Sequence, residues 1–356
     1  MKTWDVIVIG GGVIGLSLAW RLKADRLSVL VIERHEPGRE ASYAAGGMIA
    51  SCDPHIPHTL KPLVCASARM YAEFVRELQD ESGESVDLRD AGTIAFVAND
   101  ATPECADART LAEAEVSKIE RFLNVRGGAW FLPESSVDPR GLGRALIKAA
   151  RHRGVDFVTG STATEVLVGD GRAAAVKTTH SAYAAAAVVN CSGAWAAQIQ
   201  PFGIPTHPVK GQMVCVVPQA GRPHLGPLVQ HVVRTPDVYI IPRTDGRILL
   251  GATVEEAGFD KQVDPDTIQR LHKAGIQVVP ELATTRIHDA WAGLRPASPD
   301  NLPILGETTL PGYYAATGHY RDGILLAPIT AQLMAQLITG RDPECHLKPF
   351  SPLRFG

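Results

Sequence analysis

The chain has 356 residues, of which 45% are hydrophobic and 21% are charged, as in ordinary globular proteins. This length exceeds what one compact core usually holds, so we expect two domains. The formal net charge of -3 gives no electrostatic reason to bind nucleic acid or an anionic membrane. No apolar run reaches the ~18 residues that can span a bilayer, so no transmembrane segment is expected.

The N-terminal residues and the cysteines bear on location. Residues 1–4 lead directly into an apolar strand pattern, so we expect no signal peptide. The six cysteines are scattered and form no C-x-x-C pair. In a long chain without an export signal, this distribution predicts reduced thiols and a cytoplasmic protein.

The first 33 residues carry a complete β–α–β pattern. The apolar strand 5–9 is followed by the glycine-rich segment Gly10-Gly11-Gly12-Val13-Ile14-Gly15. An apolar helix comes next, and then a second strand that ends at Glu33. In this context G-x-G-x-x-G is typical of dinucleotide binding, because the glycines allow a tight turn and let a pyrophosphate approach the helix N-terminus. Glu33 is placed to accept hydrogen bonds from ribose hydroxyls and disfavours a 2′-phosphate. NADP is therefore not expected, whereas NAD and FAD both remain open.

The rest of the chain alternates between α/β segments and β-rich segments. Helices are predicted at residues 62–82, 110–125, 138–153 (with Asp138 as N-cap and Pro139 next) and 323–338. Strands are predicted at residues 91–97, 155–159, 166–168, 173–178, 184–190, 239–241, 247–250 and 313–316. The simplest assembly is two interleaved domains, one made of residues 1–85, 138–200 and 290–356 and the other of residues 86–137 and 201–289.

Three features are candidates for ligand contact. Residues 41–48 are almost all small, which suits a backbone lying against a large planar or phosphorylated ligand, although a loop without that role is the alternative. Arg295 is suited to bind a carboxylate through its guanidinium fork, and a structural salt bridge explains it equally well. Arg321 lies in a turn between a predicted strand and a helix, where doubly wound sheets bind ligands; the alternative is a surface arginine.

Three other features carry less weight. Tyr239 lies on a predicted strand, where most tyrosines belong to the core or to a sheet face. The segment 52–58, Cys-Asp-Pro-His-Ile-Pro-His, has metal-binding residue types, but its two prolines and the lack of a second ligand group favour a plain loop, and no metal site is predicted. His319 is either a general base or a residue whose backbone alone takes part in its turn.

Together these segments resemble the glycine oxidase and D-amino acid oxidase-like FAD enzymes, and most closely the thiamine-pathway glycine oxidases. The resemblance covers nearly the whole chain. It rests on residues 5–33, 44–48, 190–195, 238–243, 251–253, 291–296 and 318–328. The last two segments, Trp-Ala-Gly-Leu-Arg-Pro and Gly-His-Tyr-Arg-Asp-Gly-Ile-Leu-Leu-Ala-Pro, are specific to it.

The resemblance implies an α/β fold, in which an FAD-binding Rossmann-like domain of the glutathione reductase type is interleaved with an antiparallel β-rich substrate domain. Related sarcosine oxidases attach flavin through a cysteine; residues 318–327 contain none, so non-covalent FAD is implied. The implied catalytic residues are Arg295, which would pair with the substrate carboxylate, Tyr239 and Arg321. The implied cofactor contacts are Gly10, Gly12, Val13, Ile14, Gly15, Glu33, Arg34, Ser42, Ala45, Gly46, Gly47, Met48, Ala163, Ser192, Gly193, Trp195, Gly293, Gly318, His319, Tyr320, Arg321, Asp322, Gly323 and Ile324.

The implied reaction is oxidation of a small amino acid by oxygen to the 2-oxo acid, ammonia and hydrogen peroxide, which would feed thiazole synthesis for thiamine. Glycine, sarcosine and small D-amino acids are the implied substrates, and the assembly state, including a homo-oligomer, stays open. Two positions depart from the family pattern. Asp237 replaces a histidine two residues before Tyr239, and Val254 replaces a methionine after Gly-Ala-Thr. The shorter Val254 would enlarge the pocket and relax a preference for glycine.

Three other functions remain open from the sequence. One is an FAD dehydrogenase that passes electrons to a quinone or to a partner subunit. Another is a non-catalytic flavin-binding subunit, against which two placed arginines argue, because guanidinium groups are costly to desolvate without an anionic ligand. An NAD-dependent dehydrogenase is the third.

Overall fold

The predicted β–α–β unit is confirmed in the computed structural model of the chain, which describes residues 2–96, 105, 107–124, 127–219 and 227–356. Strand β1 (Thr3–Ile9) is followed by helix α1 (Val13–Ala24) and strand β2 (Val29–Glu33). The two strands pair in parallel, and β2 is buried along its whole length.

The remaining helices are short to medium in length. Among the described residues, no helix is both long enough and apolar enough to cross a membrane. The α-helices are α2 (Ala41–Ala44), α3 (Lys61–Ser82), α4 (Glu113–Ile119), α5 (Pro139–His152), α6 (Pro265–Val278) and α7 (Gly323–Ile338). Short 3-10 segments are Gly193–Gln198, Pro280–Thr284, Lys348–Phe350 and Pro352–Phe355.

The remaining strands belong to three sheets. They are β3 (Met48–Ile49), β4 (Leu88–Arg89), β5 (Thr93–Ala95), β6 (Arg109–Leu111), β7 (Ala129–Leu132), β8 (Ser135–Val137), β9 (Asp156–Thr159), β10 (Ala163–Gly169), β11 (Arg172–Thr178), β12 (Ala182–Asn190), β13 (His207–Pro218), β14 (Val232–Arg234), β15 (Tyr239–Pro242), β16 (Ile248–Gly251), β17 (Thr285–Ala297), β18 (Ile304–Glu307) and β19 (Tyr313–Thr317).

The first sheet has a parallel centre, in the order β19, β12, β1, β2 and β9. Strands β10, β11 and β18 extend it with antiparallel pairing. Alternate residues of β1 enter different cores: Val6 and Val8 pack beneath α1, α5 and α7, whereas Ile7 and Ile9 pack on the other face. Both faces are therefore covered, as is usual for parallel sheets. This arrangement confirms the α/β fold class.

The second sheet contains β17, β13, β16, β15, β14, β5, β7 and β6 in that order. Its pairs are antiparallel, as expected, except that β14 runs parallel to β5. A small third sheet joins β3, β8 and β4. The division into two domains stays a proposal. Strand β17 crosses the expected boundary at residue 290 and pairs with β13 on both sides of it.

Two expectations about helices were wrong or incomplete. The helix predicted over 110–125 is limited to α4, and residue 110 lies instead in β6, which pairs with β7. Residue 125 lies outside the described residues. Residue 97, at the end of the strand predicted over 91–97, also lies outside them. Pairing with a distant strand here overrides the local helical spacing. Helix α6 was not predicted, although Asp264 caps it by accepting bonds from the backbone of Asp266 and Thr267, and Pro265 begins it.

The expectation that all six cysteines are reduced thiols was also wrong. Cys52 and Cys105 form a disulfide whose Cα atoms are 5.3 Å apart, although 53 residues separate them along the chain. They meet because the loop that contains Cys52 packs against Ala95 and Leu132 of the second sheet. The other four cysteines are free. Sequence spacing carried no sign of this pairing, because it depends on the contact between a loop and a sheet.

Candidate functional site

One large cavity lies where the two main sheets approach each other. It has a volume of about 630 Å³ and draws its lining from both sheets and from the turn after β19. The cavity brings together every predicted site residue except Gly15 and Gly318. Gly15 packs under the turn at Gly10, and Gly318 backs onto Ser298 and Ile304. The assigned roles stay predictions, but most of the predicted residues do share one surface.

The glycine turn at the start of α1 is shaped by close backbone contacts. Gly10 has φ of +106°, and a Cβ there would lie 2.5 Å from the carbonyl oxygen of Cys191. A Cβ at Gly15 would overlap the carbonyl oxygen of Gly10. Both positions therefore exclude larger residues, and the N-terminus of α1 opens towards the cavity beside Gly12 and Val13.

The acidic end of β2 is tied to the same turn. Glu33 is buried, and its carboxylate accepts hydrogen bonds from the backbone N–H of Gly11 at 2.7 Å and of His35 at 3.0 Å. A carboxylate has about four acceptor sites, so Glu33 keeps capacity for hydroxyl groups of a ligand. The hydroxyl of Ser42 accepts from the N–H of Val13 at 2.9 Å, which joins the small-residue segment to the helix start.

Residues 41–48 fold as the short helix α2 and the start of strand β3, joined by Ala45, Gly46 and Gly47. Substitution of Gly47, with φ of +75°, would push a Cβ into the carbonyl oxygen of Val137, and a Cβ at Gly46 would lie 2.7 Å from Ile241. The carbonyl of Gly46 accepts a hydrogen bond from Arg243 at 2.6 Å. The small residues are therefore needed so that this backbone can lie between the second sheet and α5.

A stack of side chains closes one part of the cavity near the end of β2. The guanidinium of Arg34 lies 3.5 Å from the ring centre of Trp195, whose other neighbour, Phe259, is 5.4 Å away between ring centres. Glu40 accepts from Arg34 at 2.6 Å and from Lys261 at 3.0 Å. The stack thus connects the first sheet to the segment that follows β16.

Arg295 lies flat against the strand beside it. A nitrogen of its guanidinium donates to the carbonyl oxygens of Thr253 at 3.0 Å and Lys210 at 3.3 Å. A Cβ on Gly211 would overlap the guanidinium, so only glycine leaves room for it. Among the described residues, no carboxylate lies within salt-bridge distance of Arg295. The structural salt bridge, which the sequence left open, is therefore not what holds this side chain.

Tyr239 lies near both candidate arginines. Burial raises the pKa of its phenol, although the positive charges of Arg295 and Arg321 both act in the opposite direction. The phenol therefore stays protonated at neutral pH. Arg321 also lines the cavity, and within the described chain no carboxylate is close enough to form a salt bridge with it. The half-buried guanidinium of Arg295, the exposed guanidinium of Arg321 and the neutral phenol of Tyr239 face a common space.

The turn between β19 and α7 presents backbone and side chains to the cavity. Tyr320 has φ of +47°, and α7 begins at Gly323 with its positive N-terminal end at the cavity wall. Burial lowers the pKa of His319 to about 3, and its Nε2 lies 3.0 Å from the hydroxyl of Thr330. His319 is therefore neutral and its ring is held against α7, which favours the alternative in which only its backbone takes part in the turn.

Sequence reasoning missed a charged wall of the cavity. Arg234 on β14 is directly opposite Tyr239 on β15, so their side chains lie on the same face of the sheet. Arg234 donates to Asp53 at 2.9 Å and to the buried Glu134. Burial alone would raise the pKa of Asp53, but Arg234 and the bonds from His55 bring it below its usual value. Only the strand register could have revealed this wall.

Asp322 belongs to the same wall. Burial raises the pKa of its carboxyl to about 6, Asp53 adds to the increase and Arg321 opposes it. In the segment 52–58, Cys52 is bonded to Cys105 and Asp53 to Arg234. Within the described part of the chain, no group of three or more His, Cys, Asp or Glu side chains is arranged to hold a metal ion.

The fold and the cavity define the class: an α/β protein with a dinucleotide-binding unit at the edge of a large cavity. Comparison with known proteins makes this specific, because residues 5–337 match the family described as FAD dependent oxidoreductase. The chain belongs to that family, and its cofactor is FAD.

Three relatives illustrate the similarity. The chain is 36% identical to a bifunctional protein ThiO/ThiG of Synechocystis sp., over 99% of this chain and 54% of that protein. It is 30% identical to the hydrogen cyanide synthase subunit HcnC of Pseudomonas aeruginosa, over 99% and 97% of the two chains. The crystal structure of glycine oxidase from Geobacillus kaustophilus superposes with a TM-score of 0.91 at 29% identity, covering 99% of this chain and 98% of that one. The chain spans about half the length of the bifunctional relatives.

The residues present fit FAD. Gly10 and Gly12 leave backbone room for a pyrophosphate at the start of α1, and Glu33 retains free acceptor capacity beside them. Gly46, Gly47 and the start of α7 provide a second, distant set of backbone contacts on the same cavity. These two sets would hold the adenosine end and the ring end of the cofactor respectively.

Proposed function

We propose that the protein oxidises small amino acids, such as glycine, sarcosine or small D-amino acids, with non-covalently bound FAD and oxygen. With water consumed in hydrolysis of the imine, the products would be the 2-oxo acid, hydrogen peroxide and ammonia, or methylamine in place of ammonia when the substrate is sarcosine. Similarity to a glycine oxidase of known structure and to the bifunctional ThiO/ThiG protein supports both this reaction and a supply of product for thiazole synthesis. A cytoplasmic location belongs to the same proposal.

The observation that carries this proposal is the pair of arginines in the cavity. Arg295 and Arg321 both line it without a salt-bridge partner among the described residues, and Tyr239 lies near both. Arg295 is half-buried and Arg321 is exposed at the cavity, so both guanidinium groups are accessible to a ligand. A cleft lined by two positive charges favours an anionic ligand. A guanidinium binds a carboxylate through two parallel hydrogen bonds, which fixes both its position and its plane.

The side chains of the site would orient the substrate and leave the hard chemistry to the cofactor. Bound FAD would accept the hydride from the substrate α-carbon and return electrons to oxygen. Arg295 would hold the carboxylate and Tyr239 would donate a hydrogen bond from its neutral phenol. With the carboxylate fixed, the α-carbon is confined to a small region, which lowers the entropic cost of reaction. No side-chain base is needed if the substrate amine binds in its neutral form.

Val254 and Asp237 bear on which amino acid is preferred. Val254 lines the cavity and is 53% exposed, so it leaves open space beside the site. Asp237 is exposed. We therefore propose that the site accepts substrates larger than glycine.

The purified protein gives the decisive test. We expect a yellow protein whose flavin is released by denaturation, is reduced anaerobically by small amino acids, and yields peroxide in air. The panel should contain glycine, sarcosine, D-alanine, D-proline and larger D-amino acids. A colourless protein without releasable flavin, or a flavin that no amino acid reduces, would contradict the proposal.

A dehydrogenase that passes electrons to a quinone or a partner subunit is the second candidate. It is favoured by the similarity to HcnC, which is named as a subunit of a larger synthase. Rapid dye reduction without oxygen uptake would establish this alternative, whereas stoichiometric peroxide release would establish the oxidase.

A further inference from the structure

We propose that Gln212 is a positioning residue for Arg295. It fixes the carbonyl group of Thr253 against which the guanidinium rests, and so sets the affinity of the site for a carboxylate without touching the substrate. The inference rests on the proposed role of Arg295 in carboxylate binding.

The guanidinium of Arg295 depends on backbone carbonyls for its orientation. One nitrogen donates to the oxygens of Thr253 at 3.0 Å and Lys210 at 3.3 Å, while Gly211 leaves room for the flat face. A guanidinium carries five N–H donors. Anchoring one nitrogen in this way leaves the rest of the fork for the cavity, but only while Thr253 stays in place.

Residues 252–254 do not belong to a strand and need other support. The backbone N–H of Gln212 donates to the hydroxyl of Thr253 at 2.8 Å, and the carbonyl of Gln212 accepts from the N–H of Thr253 at 3.4 Å. Glu255 forms a bridge with Lys210 through N–H···O bonds of 2.9 and 3.0 Å. Thr253 is therefore held on both sides by β13.

The side chain of Gln212 extends this support to the following segment. Its Nε2 donates to the carboxylate of Glu255 at 2.9 Å, and its Oε1 accepts from the N–H of Asp264 at 2.7 Å. The hydroxyl of Thr253 also donates to that carboxylate. Gln212 is fully buried and does not line the cavity, so its effect on a ligand passes through Thr253 and Arg295. An apolar side chain would leave these buried polar groups unpaired, which costs more than the bonds themselves contribute.

The experiment measures acetate binding to the FAD-loaded protein from the perturbation of the flavin spectrum. We expect Gln212→Leu to raise the dissociation constant of acetate about tenfold, and to raise KM for substrate far more than it lowers kcat. Thr253→Val replaces the hydroxyl by a methyl group of similar size and should give a several-fold increase, which keeps the test available if Gln212→Leu folds poorly. Gln79→Leu is the matched control, because Gln79 also supports backbone, accepting from Val86 at 2.8 Å, but lies outside the cavity; its acetate affinity should be unchanged.

A double-mutant cycle separates positioning from general loosening of the fold. In an Arg295→Lys background, which keeps a charge but loses the fork, Gln212→Leu should change acetate affinity less than twofold. An equal effect in both backgrounds, or unchanged affinity in the wild-type background, would overturn the inference. Failure of the proposed function would look different, since acetate would then bind to Arg295→Lys as tightly as to the wild type.

Discussion

The guanidinium of Arg295 occupies the space where any other residue at position 211 would place its Cβ. Arg295 comes from β17 and Gly211 from the neighbouring β13, so the close approach joins two strands of one sheet. The backbone of Gly211 does not have a positive φ, so its conformation would allow other residues. Glycine is required at this position because the Arg295 side chain fills the space that a Cβ would need. The packing of β13 against β17 therefore sets the position of the Arg295 guanidinium, the group that we propose binds the substrate carboxylate.

Gly211→Ala tests that contact directly. The added methyl group should displace the guanidinium from the carbonyls of Thr253 and Lys210, raising KM for substrate at least ~tenfold, which corresponds to about 1.4 kcal/mol. FAD content should stay normal. Gly143→Ala is the control, because no atom lies within 4 Å of a Cβ there; in a helix the change should stabilise by ~0.5–1 kcal/mol. Unchanged KM in Gly211→Ala would show that Arg295 does not need its observed position.

Arg295→Ala should abolish most turnover while FAD stays bound. Loss of one partner of a buried charged pair costs ~3–5 kcal/mol, so kcat/KM should fall by two orders of magnitude or more. Arg286→Ala, an exposed arginine on the same strand, is the matched control and should be near normal. Steady-state kinetics together with flavin absorbance provide the measurement. Loss of flavin, or near-normal activity, would assign Arg295 a structural role.

Substrate binding should strengthen as pH rises towards the pKa of the substrate amine. If only the neutral amine binds, the apparent dissociation constant should fall by ~tenfold per pH unit below that pKa. Because burial raises the pKa of Tyr239, the phenol does not add a competing titration at neutral pH. Anaerobic flavin titrations with substrate would measure this pH dependence of the dissociation constant. Acetate, which has no amine, is the control. A dissociation constant for substrate that is independent of pH would exclude neutral-amine binding.

Asp322→Asn should change the pH dependence of stability. The folded-state pKa of about 6 lies above the ordinary value of 3.8, so this carboxyl costs no stability below pH 3.8 and costs most above pH 6. Relative to wild type, the variant should therefore gain roughly 1–3 kcal/mol in the free energy of unfolding between pH 4 and pH 8. The Asp322 side chain makes no cap bond to α7, so the substitution removes none.

Urea unfolding of the variant and the wild type at pH 4 and at pH 8 measures this gain. Subtracting the variant-to-wild-type difference at one pH from that at the other removes any effect on FAD affinity that does not depend on pH. Asp237→Asn, at an exposed carboxylate, should show no such difference. A stability difference for Asp322→Asn that is the same at both pH values would contradict the prediction.

Local patterns predicted much of the fold. Helix α5 has its predicted Asp138 cap and Pro139 start, and the strands predicted over 239–241 and 247–250 form as β15 and β16, which pair with each other. Where prediction failed, a distant partner decided the outcome: β6 pairs with β7 instead of continuing a helix, and Cys52 meets Cys105 through contact between a loop and a sheet. Neither partner is visible within a window of neighbouring residues.

The sequence by itself determined the dinucleotide unit, because Gly10, Gly12, Gly15 and Glu33 act within a single β–α–β segment whose geometry is local. It also marked Arg295, Tyr239 and Arg321, through resemblance to a family. Only the tertiary structure decided that these three side chains face one cavity. It alone placed Arg234 beside Tyr239 and the support of Gln212 and Gly211 beneath Arg295, because strand register and side-chain direction set those distances and both are fixed by packing between segments far apart in the chain.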